Sequence, residues 1–103
     1  MPAPARYTSF ADFYPYYLRA HQNRTNRRLH FLGTTLVLIL PVACLAAGAW
    51  PALLLVPVAG YGPAWVGHFY FERNRPATFS HPLYSVIGDF RMYADTWRGK
   101  IRF

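Results

Sequence analysis

Residues 31–71 contain the feature that most constrains this chain. These 41 consecutive residues include no Asp, Glu, Lys or Arg, so all 11 basic and 4 acidic residues fall outside them. A single soluble domain of 103 residues has too little protein around such a stretch to bury it. Disorder is also excluded, because 53% of the chain is apolar. An ordinary soluble domain is therefore not expected.

The net charge of +7 would by itself favour nucleic-acid binding. Nucleic-acid binders need a water-soluble body, which the uncharged stretch does not provide, so no nucleic-acid partner is expected. The single cysteine, Cys44, permits neither an intrachain disulfide nor a cysteine-based zinc site. The apolar run begins at residue 31 and is too long for the core of a cleaved signal peptide.

The uncharged stretch divides into two candidate membrane spans. Phe31–Trp50 and Leu53–Phe71 have 20 and 19 residues, and at about 1.5 Å per residue each helix would cross a bilayer core of roughly 30 Å. The short Trp50–Ala52 segment between them is predicted to turn. We predict an all-α fold, an integral membrane hairpin with spans at 27–50 and 53–73. A soluble helical hairpin is the alternative, weakened because neither helix has a charged face.

Arginines flank both spans on the same side of the hairpin. Arg24, Arg27 and Arg28 precede the first span, and Arg73 and Arg75 follow the second. Positive residues favour the cytoplasmic side, and two spans return both ends to one side. The prediction is a bacterial inner-membrane protein with both termini in the cytoplasm.

Amphipathic helices are predicted on either side of the hairpin, at 7–23 and 82–99. Aromatic and apolar residues recur in each at helical spacing. Ser9 followed by Asp12 resembles a capping box, although a helix start at Pro15 is an alternative. Their apolar faces could lie on the membrane surface or pack against the mouth of the hairpin.

All four histidines, His21, His30, His68 and His81, lie near the arginine end of the predicted hairpin. Nine positions separate His21 from His30, which would put them on opposite faces of one continuous helix. They can converge only if the chain turns between them, and residues 23–26 supply turn and N-cap residues for this. The hairpin therefore predicts a cluster of histidines at one membrane depth.

A carboxylate accompanies these histidines. His68 and Glu72 are four residues apart and share a helical face. Imidazoles together with a carboxylate suit iron(II), manganese or zinc, and such a set with open positions is used in non-haem iron oxygen chemistry. Glu72 has the alternative of a salt bridge to a neighbouring arginine. Asp89 could be a ligand, an orienting group for a histidine or a surface charge, and the last is favoured.

Two parts of the sequence carry a family resemblance. The first comprises 13–21 and 26–33, and the second comprises 67–79 and 81–92, with a Gly-His-x-x-x-Glu-x-x-x-Pro-Ala core that begins at Gly67. The chain resembles the small membrane family that includes the yeast endoplasmic-reticulum 2-hydroxy fatty acid dioxygenase, and more closely its short bacterial branch. The resemblance extends from about residue 10 to residue 100. The chain is shorter than the yeast type and lacks its extra spans.

The resemblance implies an Fe(II)-dependent enzyme of fatty acid α-oxidation, which uses O2 to shorten a 2-hydroxy fatty acid by one carbon. Its histidine motif falls on His21, His30 and His68, and we expect these three, with Glu72 or His81, to hold the metal. The expected partners are the 2-hydroxy fatty acid, O2 and the lipid bilayer; a homo-oligomer is left open.

The carboxylate of such a substrate would need a partner on the same side of the membrane. Arginine binds carboxylates bidentately, so Arg28 and Arg73 are candidates, and Asn26 is a third. Two rival functions stay open. One is a haem protein with His30 and His68 as axial ligands, and the other is a non-catalytic membrane adaptor.

Overall fold

The computed structural model describes residues 6–103, which are helical with no strand among them. Four α-helices follow one another along the chain: α1 (Phe10–Arg19), α2 (Arg24–Ala46), α3 (Val56–Val66) and α4 (Pro82–Trp97). A 3₁₀ segment at Trp50–Leu55 leads into α3, and a π-helical segment at Gly67–Glu72 continues from it. A short 3₁₀ turn at Ala77–Phe79 precedes α4.

The first helix is shorter than the predicted 7–23, because a side-chain cap sets its start and the chain turns at Ala20 before α2 begins. The hydroxyl of Ser9 accepts a hydrogen bond from the amide of Asp12 at 3.2 Å, which fixes the start of α1 before Pro15. After the turn, Asn23 caps the start of α2, since its side chain accepts a hydrogen bond from the amide of Asn26 at 3.1 Å. The residues left between the two helices form the turn that the two histidines require.

Helix α2 and the segment Trp50–Glu72 form an antiparallel hairpin. The turn is earlier than the predicted Trp50–Ala52, because Gly48 adopts a left-handed φ of 70° that glycine accepts at little cost. The two helices approach closely where glycines meet. A Cβ added to Gly33 would lie 2.7 Å from the carbonyl oxygen of Gly60. Small residues at such a crossing are typical of membrane helix pairs.

Both arms of the hairpin are long and apolar enough to cross a bilayer, as predicted. Each is 23 residues long, and only 17% of its most apolar window is buried within the protein. The core helix of a soluble protein would be mostly buried. Large apolar side chains instead point outward along both arms, among them Leu38, Ile39, Val42, Leu45, Leu54, Leu55 and Val58. This exposure is typical of helices that contact lipid.

The flanking helices pack under the mouth of the hairpin and against each other. Helices α1 and α4 share a buried aromatic and apolar core with the segment before α4, formed by Phe13, Tyr17, Ala77 and Met92. Helix α4 also contacts α2, where the rings of Phe31 and Tyr93 lie 4.5 Å apart between centroids. The helices at the mouth therefore cover the end of the hairpin at which the histidines lie.

Candidate metal centre

Three histidines from different parts of the chain meet beneath the hairpin. His21 lies in the turn after α1, His30 in α2 and His68 in the π-helical segment. Their ring centroids are 4.4, 4.4 and 4.8 Å apart, and one candidate ligand nitrogen from each lies within 4.8 Å of the others. All three are buried, with exposed fractions of 1, 5 and 2%. We call this group the histidine triad.

The rings of the triad are nearly perpendicular to one another, with interplanar angles of 82, 80 and 89°. The Nε2 atoms of His21 and His30 are buried and have no hydrogen-bond partner among the described residues. Leaving buried polar atoms without a partner is costly in a native protein. A metal ion bound by the triad would satisfy both atoms, so the residues present fit such an ion.

The other ring nitrogen, Nδ1, faces an oxygen in every case. The three pairs are His21 with the carbonyl of Tyr17 at 2.6 Å, His68 with Oδ1 of Asn74 at 2.7 Å, and His30 with Oδ1 of Asp89 at 3.3 Å. These oxygens only accept, so Nδ1 carries the proton and the lone pair resides on Nε2. Histidines that bind metals characteristically donate their other N–H to a carbonyl, amide or carboxylate in this way.

Tyr17 links two members of the triad. Its ring stacks on that of His21 with centroids 4.0 Å apart, and its hydroxyl donates to Asp89, which contacts His30. Burial, followed by the nearby Asp89 carboxylate, raises the pKa of Tyr17 well above its ordinary value, so the phenol stays protonated and donates. Through its backbone carbonyl, ring and hydroxyl, this one residue fixes the orientation of two imidazoles.

The electrostatic environment keeps His21 neutral. Burial lowers the pKa of His21 well below its ordinary value, and the two neighbouring imidazoles lower it further. A neutral ring has a free lone pair, which is the form that binds a metal.

The π-helical segment Gly67–Glu72 determines how His68 is held. It ends at Arg73, which takes a left-handed φ of 58°, and the amide of Asn74 then returns to the carbonyl of His68 at 3.0 Å. This return brings the side chain of Asn74 onto the ring. Single turns of π-helix are frequent at functional sites.

Glu72 lies at the edge of the site. Its Oε1 accepts from the amide of Asn23 at 2.7 Å and from Nδ2 of Asn26 at 3.2 Å, which ties the end of the second arm to the start of α2. No salt bridge to an arginine is present for it within residues 6–103. Its predicted role as a metal ligand or catalytic group stays a prediction.

The structure does not bring His81 to the triad. His81 lies in the aromatic cluster between α1 and α4, 5.2 Å from the ring of Phe13. Its Nε2 accepts from the amide of Tyr7 at 3.0 Å, and its Nδ1 is 2.8 Å from the hydroxyl of Ser80. Both ring nitrogens are thus engaged elsewhere, and burial lowers its pKa below the ordinary value.

The three residues predicted to hold the substrate carboxylate have other surroundings. Arg28 donates from Nε to the carbonyl of Phe103 at 3.1 Å and lies over that aromatic ring. Arg73 is exposed, and Asn26 is fully buried against Gly67 and Glu72. No hydrogen bond joins any of the three to the triad in the part of the chain that the structure describes. Their role in substrate binding stays a prediction.

Sequence reasoning missed two of the groups that orient the triad and undervalued a third. Tyr17 precedes His21 by four residues, so helical spacing could have identified it. Asn74 could not be found this way, because its position depends on the π-helical turn. For Asp89 the sequence allows an orienting role but favours a surface charge. Its contacts with His30 and Tyr17 show that it orients the ring.

A cavity of about 230 Å³ opens from the triad into the hairpin. His30 and Asp89 line its polar end, and α2, α3 and α4 form its walls. Its other lining residues are Thr34, Val37, Val56, Pro57, Gly60, Tyr61, Ala64, Val86 and Phe90. A small ligand in this cavity would reach one member of the triad directly.

The family model for 2-hydroxy-palmitic acid dioxygenase Mpo1-like proteins matches residues 7–101, which include all four histidines and every group that orients the triad. No curated protein and no solved structure matches the chain significantly.

Proposed function

Because this chain belongs to the Mpo1-like family, described as 2-hydroxy-palmitic acid dioxygenases, we propose that it is an Fe(II)-dependent dioxygenase of 2-hydroxy fatty acids. The reaction would break the bond between C1 and C2 with O2 as oxidant, release a fatty acid one carbon shorter, and convert C1 to CO2 with formation of one water. The observation that carries the proposal is the buried triad, in which two Nε2 atoms have no partner within the described residues.

The donor set suits this chemistry. His21, His30 and His68 would hold the ion through Nε2, and three protein ligands leave coordination positions for exogenous groups. Iron(II), when bound, supplies the redox chemistry that O2 needs, while the protein supplies binding and orientation. The proposal does not require His81, whose nitrogens are occupied by Tyr7 and Ser80.

Residues around the triad would orient the three imidazoles and exclude water. The carbonyl of Tyr17, the carboxylate of Asp89 and the amide oxygen of Asn74 keep the three imidazoles in the tautomer that presents Nε2. Helices α1 and α4 cover the site and exclude bulk water, which limits side reactions. The lipid-facing arms of the hairpin would let an acyl chain reach the site from the bilayer.

The distribution of arginines indicates how the hairpin would lie in a membrane. We propose that the hairpin crosses a bacterial inner membrane with its arginine-rich mouth on the cytoplasmic side, because positive residues favour that side. The triad would then lie near the cytoplasmic interface. There the carboxylate of a fatty acid meets water while its chain stays in lipid.

A product assay tests the proposal. The full chain in detergent is loaded with Fe(II) under argon, given 2-hydroxypalmitate and then exposed to air. Mass spectrometry should detect pentadecanoate that is absent without iron or O2. His68→Gln should lose both bound iron and product, whereas Gln22→Ala, an exposed change in the turn beside His21, should keep both. Bound iron without product in the wild-type protein would reject the reaction, and full iron retention in His68→Gln would reject the ligand assignment.

The geometry does not favour the haem alternative. A haem with two histidine ligands has the porphyrin plane between the two imidazoles. The rings of His30 and His68 are 4.8 Å apart and nearly perpendicular, with the ring of His21 beside both. This spacing leaves no room for a porphyrin between them.

A further inference from the structure

The cavity beside the triad becomes less polar along its length. On α2, its lining residues His30, Thr34 and Val37 lie on one helical face and extend over about 10 Å of the helix. The opposite wall comes from α3, which runs antiparallel and contributes Ala64 near the polar end and Val56 at the far end. A histidine of the triad and a carboxylate therefore form the polar end, and apart from Thr34 and Tyr61 the other lining residues are apolar.

The cavity is small as well as mostly apolar. Where α2 and α3 cross, a Cβ added to Gly60 would lie 2.7 Å from Cγ2 of Val37, so the wall is tightly packed at this depth. Phe90 of α4 forms part of the third side. At about 230 Å³ the cavity is smaller than the roughly 300–1,000 Å³ of typical drug-sized ligand sites. This volume can hold a short stretch of a linear chain, whereas a bulky multi-ring ligand would exceed it.

The far end of the cavity meets the surface that faces lipid. Pro57 lines this end and is itself exposed, and its neighbours Leu55 and Val58 are 63 and 66% exposed. A long occupant can therefore leave the cavity at this depth and continue outside the protein. Because the other end is continuous with the triad, the occupant must present its reacting end to His30.

We propose that this cavity holds the carbons of the acyl chain next to the 2-hydroxy acid, and that Val56 and Pro57 select for chain length at its exit. The inference rests on the proposed function. Chains that stop short of the exit leave part of the cavity unfilled. Each methylene added to the cavity strengthens binding by about fourfold. Carbons beyond the exit lie in lipid in both the free and the bound substrate and add little.

A pair of valine variants tests the selection. Val56→Trp should block the exit, and Val58→Trp adds the same bulk two residues away on the face that contacts lipid. The measurement is kcat/KM of the iron-loaded full chain for 2-hydroxy acids of increasing length. We expect Val56→Trp to lower the ratio of long-chain to short-chain kcat/KM at least tenfold, since two or more methylenes lose their site. Val58→Trp should leave this ratio unchanged, and equal ratios in the two variants would overturn the proposal.

Photolabelling locates the chain without turnover. The metal-free full chain is irradiated with 2-hydroxy acids that carry a diazirine at successive carbons, and the labelled residues are mapped by mass spectrometry. Labels should move from the His30 end of the cavity towards Val56 as the diazirine moves along the chain. Labels spread over Leu54 and other lipid-facing residues would overturn the proposal. So would equal labelling of the cavity by a diazirine phospholipid, because this would assign the space to a structural lipid.

The two experiments separate the inference from the function on which it rests. Ordered labelling of the cavity in a protein that turns over no 2-hydroxy acid would support the acyl site and reject the dioxygenase. Turnover with labelling confined to the outer face would reject the acyl site and keep the dioxygenase.

Discussion

Asn74 offers a sharp test of how the triad is held. Its Oδ1 accepts from Nδ1 of His68 at 2.7 Å, and its Nδ2 donates to the carbonyl of Ala20 at 3.0 Å. One side chain therefore orients a proposed ligand and also fastens the turn that carries His21. Asn74→Ala removes both hydrogen bonds.

The substitution should lower two different quantities, the affinity for the metal and the free energy of unfolding. Removing the group that orients a metal-binding histidine typically lowers metal affinity 10- to 100-fold, which is about 1.4–2.7 kcal/mol. Because each hydrogen bond contributes about 1 kcal/mol, the loss of both should lower the free energy of unfolding by roughly 2 kcal/mol. Asn74→Asp keeps an acceptor beside His68, so we expect it to retain most of the metal affinity that Asn74→Ala loses.

The assay is an anaerobic competition for Fe(II) between the protein and a chromophoric chelator. Asn23→Ala is the matched control, because it removes the side-chain cap of α2 at a cost of about 1 kcal/mol and touches no ring of the triad. It should lower the thermal unfolding temperature while the Kd for iron stays the same. If Asn74→Ala binds iron within twofold of the wild type, the orienting role is refuted. If Asn23→Ala loses as much affinity as Asn74→Ala, the effect reflects stability alone.

Three further outcomes are expected. Gly67→Ala should destabilise the fold by about 1–3 kcal/mol, because its Cβ would lie 2.0 Å from Oδ1 of the buried Asn26. Gly62→Ala should not destabilise the fold, because a Cβ at Gly62 meets nothing within 4 Å. Equal unfolding temperatures for the two variants would contradict this reasoning. Because burial lowers the pKa of His21 well below 6.5, the unfolded chain binds more protons than the folded one below that pH. The metal-free protein should therefore lose stability as the pH falls below about 6.5, and His21→Gln should flatten the profile measured by thermal unfolding. The chain should also stay in the membrane pellet after extraction with alkaline carbonate, and release into the supernatant would refute the spanning hairpin.

The sequence predicts the architecture because its strongest signals are long and local. An uncharged stretch of 41 residues requires apolar surroundings, and its two halves match the thickness of a bilayer. The hairpin then brings His30 and His68 together, and the turn signals after α1 add His21. Spacing and capping predict that all four histidines cluster at this end of the hairpin, and the family resemblance singles out these three.

The surroundings of the triad could not be predicted in the same way. Asn74 reaches His68 only because the chain winds into a π-helical segment and then reverses at a left-handed Arg73. Neither feature has a periodic signal in the sequence. His81 lies near the mouth as expected, but contacts with Tyr7 and Ser80 hold it away from the triad. The contact with Tyr7 depends on packing between residues that are distant in sequence.

The π-helical segment also restricts how many residues this part of the chain can contain. Asn74 lies six positions after His68, and the backbone returns to His68 over that number of residues. Deleting Tyr70, an exposed side chain, would shorten this turn by one residue, so that Asn74 could no longer reach both the carbonyl and the ring of His68. Substitutions at this position should be tolerated where a deletion is not. If the segment from His68 to Asn74 is transplanted into another helical hairpin, its number of residues must be kept, even where individual side chains are changed.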